Sequence, residues 1–158
     1  MNYHFKLLMT AGVLAASLGI QTVQAAKTSM TIALQLEPPH LDPTSAAAGA
    51  IDSVLYSNVF EGLTRFASDG AVIPGLAKSW EISDDGTEYI FQLNSGVTFH
   101  DGSTMDANDV KFSLDRARSE DSTNAQKALF SGINNIEVLT NDKVKVTLAS
   151  PNGSFLFN

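Results

Sequence analysis

The sequence contains no cysteine. Disulfides, thiolate metal centres and cysteine nucleophiles are thereby excluded, and an oxidising compartment adds no cross-link to the fold. Positive charge is scarce: 10 Lys and Arg stand against 17 Asp and Glu, a formal net charge of −7. A nucleic-acid partner needs a basic footprint, so that class falls away. The acids are scattered, which reads as a solvated surface. Glycine-rich phosphate loops are absent. So is a Gly-x-Ser-x-Gly elbow, and no serine has a plausible His and acid partner. There are no internal repeats and no low-complexity tracts. Tryptophan occurs once and proline five times.

What is present begins with a targeting signal. Lys6 precedes a nearly unbroken apolar or small run from Leu7 to Ile20. Val23-Gln24-Ala25 offers small residues at the two positions a signal peptidase reads. The run is short for a membrane span. Residues 1–25 are therefore expected to be a signal peptide, cleaved after Ala25, and residues 26–158 to be exported with no membrane insertion afterwards.

Met30, Ile32, Leu34 and Leu36 alternate, which predicts a strand. Pro38, Pro39 and Pro43 end it. A helix is expected over Ala46–Phe60, with Ile51, Val54, Leu55 and Val59 on one side and Gly62 as its C′ residue. Ser68-Asp69-Gly70 predicts a hairpin between Leu63–Phe66 and Ala71–Ile73.

Residues Gly75 to Arg118 carry the densest pattern. Asp84-Asp85-Gly86 separates the short run Trp80-Glu81-Ile82 from Glu88–Leu93, where Tyr89, Phe91 and Leu93 share a face. Asn94-Ser95-Gly96 is a second turn, followed by a short strand at Val97-Thr98-Phe99 that Asp101-Gly102 closes. Asp106 is a good N-cap, with Asp109 at N3. Ala107, Val110, Leu114 and Ala117 form the apolar stripe of the helix that follows. Phe112 lies off the stripe and implies cover on a second side. Arg116 and Arg118 suit the negative end of the helix dipole. Beyond it, Ala125–Phe130 reads as a short helix. Asn135–Leu139 and Lys143–Leu148 read as a hairpin, with Val144, Val146 and Leu148 facing inward. Ser150-Pro151-Asn152-Gly153 is a turn before the apolar Ser154–Asn158. The fold class is α+β or α/β, with mixed and antiparallel strands and short helices.

Several blocks in this order resemble the bacterial extracellular solute-binding proteins, family 5, the peptide/nickel receptors of ABC importers. They are Leu76-Ala77-Lys78-Ser79-Trp80, Ser83-Asp84-Asp85-Gly86, Gly96-Val97-Thr98-Phe99-His100-Asp101-Gly102 and Asp106 through Ser113, together with Tyr56 through Arg65. Asn94 departs from the basic residue usual in the family. The resemblance implies a two-lobed periplasmic binding protein of type II. Residues 26–158 would then be the amino-terminal portion of lobe I, truncated, since family members are several times longer and Phe155, Leu156 and Phe157 are left as an apolar patch. By itself such a piece is expected to bind no ligand with useful affinity. The absent cysteine removes the lipid anchor such receptors can carry, which implies a free periplasmic protein. Implied partners are an oligopeptide or other small solute, such as a nickel chelate or sugar, and the permease and ATPase subunits of the importer. A monomer without cofactor or catalysis is implied.

Placement in the family points to Gln35, Leu36 and Glu37 as ligand-facing, with Asn124 and Gln126 beside them. His40 is a further polar candidate in the same loop. His40 with Asp42 lacks the further ligands a metal requires. The turn and the N-cap account for Asp101, Asp106 and Asp109. A secreted hydrolase using paired carboxylates, Glu37 or Glu61 with another acid, is the alternative, although no spacing sets a general acid beside a base.

Overall fold

A computed structural model describes residues 28–46, 48–56 and 58–157. The expected signal peptide and its cleavage point lie outside the described residues. The chain divides into two units at Ala33/Leu34. Of the first, residues 28–33 have no regular secondary structure and are exposed.

In the second unit α1 spans Gly49–Leu55. A hairpin follows, β1 (Thr64–Phe66) with β2 (Val72–Pro74). Then come β3 (Ala77–Ile82), β4 (Glu88–Leu93), α2 (Ala107–Arg118), α3 (Lys127–Phe130), β5 (Ile133–Thr140) and β6 (Lys143–Leu148). A 3₁₀ turn covers Phe155–Phe157. β3 to β6 form a four-stranded antiparallel sheet of order β3-β4-β6-β5.

The sheet follows from its alternation. Tyr89, Phe91 and Leu93 of β4 are all buried, as are Val144, Val146 and Leu148 of β6. The register sets Tyr89 opposite Val146 and Phe91 opposite Val144, so the apolar side chains meet in cross-strand pairs. Ala107 and Val110 of α2, with Met105, Ile133 and Ile136, complete this core. The polar sides of the strands carry Lys145, within 3.5 Å of both Glu88 and Glu137.

α2 is fixed at both ends by side chains. Asp106 Oδ1 accepts from Asn108 N–H at 2.7 Å, and Asp106 N–H donates to Asp109 Oδ2 at 2.8 Å. Asp109 therefore closes a capping box as Glu would. At the other end Arg118 donates to Asp115 at 2.8 Å and to the Ile133 carbonyl at 3.1 Å, which ties the helix to β5.

Four expectations are corrected. Met30–Leu36 forms no strand, with a bend at Gln35 and Leu36, and Met30, Ile32, Leu34 and Leu36 are exposed by 81%, 66%, 48% and 71%. Alternation selects a face, but a strand also needs a partner, which alternation does not by itself supply. α1 stops at Leu55 and does not run to Phe60, so Gly62 is not its C′ residue. The reason is Asn58, whose side-chain amide donates to the Val54 carbonyl at 3.1 Å and satisfies the end of the helix early. Val97–Phe99 forms only an isolated bridge, Thr98 to Thr104. Phe112 is 67% exposed and has no second cover. The expected terminal apolar patch is reduced: Phe155 and Leu156 are half-buried against the core, while Phe157 is 53% exposed and stacks on Phe66 at 5.4 Å.

Gly75 marks a close approach. A Cβ there would stand 2.5 Å from the Gly62 carbonyl oxygen, because the chain before β1 lies directly against it.

Candidate functional site

The five predicted ligand-facing residues fall on two segments. Gln35, Leu36 and Glu37 lie exposed on the irregular segment before Pro38. Asn124 and Gln126 are half-buried at the start of α3. Asn124 Oδ1 accepts from Gln126 N–H at 2.8 Å, so this side chain shapes the approach to the helix. The Ala125 N–H donates to the Thr44 carbonyl at 2.9 Å. That bond seats the 124–126 segment on the turn at Asp42–Ser45. No described hydrogen bond carries the link back to Gln35–Glu37.

The Asp42 turn is locally built. Asp42 Oδ1 accepts from the Thr44 hydroxyl at 2.7 Å and the Thr44 N–H at 2.8 Å. These bonds, the hydroxyl first, hold its carboxyl below the usual range. His40 Nε2 lies 3.2 Å from Ser45 Oγ across the same turn. His40 and Asp42 thus shape this loop, as exposed residues.

Other acids are committed in the same way. Asp85 Oδ1 accepts from Ser83 Oγ at 2.6 Å and from the Thr87 hydroxyl at 2.8 Å and N–H at 3.1 Å. Asp101 Oδ1 accepts from Ser103 Oγ at 2.6 Å and from its N–H at 2.9 Å. Both carboxyls are pulled below their ordinary value, chiefly by the serine hydroxyl. Asp115 is opposed by partial burial, which the bonds from Lys111 and Arg118 outweigh, so it too is lowered.

A hollow of about 510 Å³ lies beside α2 and was not foreseen. Leu63, Phe91, Val97, Met105, Val110 and Leu156 give it an apolar lining, and Glu61, His100 and Asp109 reach it as polar groups. Periodicity had placed several of these residues on core faces. It carried no information about the space left where those faces meet. Glu61 and Asp109 line one hollow, yet Asp109 Oδ2 is already held by the Asp106 N–H.

The model of the bacterial extracellular solute-binding proteins, family 5 Middle, matches residues 71–158, from β2 through the 3₁₀ turn. A glutathione-binding protein of Pectobacterium atrosepticum is 36% identical over 158 residues, all of this chain and 30% of the relative. Di/tripeptide-binding protein 1 of Pseudomonas aeruginosa is 32% identical, over 92% of this chain and 30% of its own length. Among solved structures, NikZ of Campylobacter jejuni in complex with Ni(L-His) aligns with a TM-score of 0.69 and 35% identity. That alignment covers 77% of this chain and 24% of NikZ. The chain thus spans about a third of the length of the curated relatives it matches.

Proposed function

Because the chain belongs to the bacterial extracellular solute-binding proteins, family 5, we propose that the protein is the periplasmic substrate-binding component of an ABC importer. It captures a short peptide and presents it to the membrane permease, whose ATPase partner supplies the energy. The observation that carries this is the family match over residues 71–158, which takes in β3, β4, the capped α2 and the β5–β6 hairpin. The two relatives named for glutathione and for di- and tripeptides support a short peptide as cargo. The nickel complex of NikZ keeps a metal chelate as the second ligand class to test.

In this reading residues 1–25 are the export signal and residues 26–158 belong to lobe I of a two-lobed, monomeric receptor. Ligand binds between the lobes and stabilises the closed form by contacts the open form lacks. Backbone groups of the cleft pair with the peptide backbone, which tolerates varied side chains. Gln35, Leu36 and Glu37, with Asn124 and Gln126, are the contacts on this chain. Glu37 is the cleanest probe, since it is exposed and makes no described hydrogen bond. Glu37→Ala should weaken binding at unchanged melting temperature.

The decisive experiment is calorimetry on the protein purified from the cells that make it, titrated with dipeptides, tripeptides, glutathione and a nickel–histidine chelate. Saturable binding of a short peptide, recovered intact afterwards, is the expected result. Cleavage of the peptide would replace the receptor with the hydrolase. Saturation by the chelate alone would change the cargo, and no saturation by any of the four would overturn the reading.

A further inference from the structure

We propose that Asn152 is a site of spontaneous deamidation, converting to aspartate and isoaspartate within the folded protein. Asn152-Gly153 is the single Asn-Gly step in the sequence, and both residues are exposed. The reaction is intramolecular. The Gly153 main-chain nitrogen attacks Asn152 Cγ and gives up its proton to solvent. The bond from Cγ to the side-chain nitrogen breaks, ammonia leaves, and a cyclic succinimide remains. Water then opens the ring at either carbonyl. One water is consumed and one ammonia released, with no change of oxidation state.

Three features of the turn favour that step. The nucleophile is uncommitted: Gly153 is exposed, its N–H makes no described hydrogen bond, and beyond its chain neighbours no atom lies within 4 Å of where a Cβ would stand. The electrophile is polarised, because Ser154 N–H donates to Asn152 Oδ1 at 3.0 Å. A donor at that oxygen stabilises the negative charge that develops on it as Cγ becomes tetrahedral. The frame is held, since the Asn152 carbonyl accepts from Tyr89 Oη–H at 3.2 Å and from Phe155 N–H at 3.1 Å. The turn that carries both reacting groups is therefore anchored at its main-chain carbonyl. Asn94, by contrast, is followed by Ser95 and has its side-chain amide bonded to the Gly75 carbonyl at 2.9 Å.

The product would alter more than a charge. Isoaspartate routes the main chain through Cβ and Cγ and turns the carbonyl used by Tyr89 and Phe155 into a carboxylate branch. Phe155 also packs on the Tyr89 ring at 4.7 Å and, with Leu156, lines the hollow beside α2. Conversion should therefore loosen the 3₁₀ turn against the sheet.

The test incubates the purified full chain at mildly alkaline pH. It follows the tryptic peptide that begins at Val146 by sequencing mass spectrometry, with enzymatic methylation to detect isoaspartate. Asn152 is expected to convert at least ~10-fold faster than any other asparagine, a difference of one decade in rate. Gly153→Ala should remove that excess; its φ lies outside the left-handed region and nothing crowds the site, so alanine is accommodated. A synthetic peptide of the same residues should convert no faster than the folded chain. Asn152 keeping pace with Asn94, an unchanged rate in Gly153→Ala, or a peptide that outruns the folded chain would each overturn the proposal.

Discussion

At the scale of single residues, short polar side chains fix the turns and helix ends of this protein. Asp106 and Asp109 show it most plainly, because each closes one half of a capping box within a few residues of sequence. That locality is why the box was readable in advance. Asp106→Ala should cost on the order of 1 kcal/mol, the usual loss for an N-cap, in denaturant melts. Asp109→Asn should cost less, since an amide oxygen still accepts from the Asp106 N–H. The turn carboxylates add a pH dependence. Asp85 and Asp101 have folded values below the ordinary 3.8. A lowered folded value means the unfolded chain binds protons first as pH falls. Their stabilisation is therefore complete above the unfolded value and is lost as pH drops through the lowered folded one. Thermal melts between about pH 5 and pH 2 should show stability falling, and Asp85→Asn should shallow that slope. An identical slope in the variant would remove Asp85 from the acid response.

At the scale of elements, legibility depended on whether an element's boundary is decided by its own residues. β4 and β6 were readable because alternation with one buried face is a local pattern, and their pairing joins two such faces. α2 was readable from its caps and stripe. α1 was not, because its end is set by the Asn58 side chain and not by the glycine that composition suggested. Phe112 lies off the stripe, and an off-stripe aromatic does not by itself bring cover: no described residue buries it. The candidate ligand residues were named from resemblance, and the sequence had no means of seating the 124–126 segment on the Thr44 turn, a bond made across a long stretch of chain. The contrast between two phenylalanines tests the core. Phe91 is 2% exposed at the centre of the sheet, so Phe91→Ala should cost about 3–5 kcal/mol. Phe112→Gln should stay within about 0.5 kcal/mol of the parent. A large loss in Phe112→Gln, read in the same urea melts, would mean that α2 is covered on its second face after all.

At the scale of the whole molecule, the least satisfied feature is Met30–Leu36. Four apolar side chains alternate there as they would in a strand, yet all are exposed and the backbone joins no described ladder. An apolar run outside any ladder is a template for pairing with another chain. The exposed Phe157 beside Phe66 adds a second apolar surface. The 158-residue chain is therefore expected to self-associate as its concentration rises, seen as growing light scattering. Ile32→Lys puts a charge in the middle of the alternating run at a side chain that is 66% exposed. It should suppress the scattering while leaving the melting temperature unchanged, because no buried contact is lost. If Ile32→Lys instead lowered the melting temperature by several degrees, the run would already be paired in the native protein. The strand expected from the sequence would then be the correct reading of these residues.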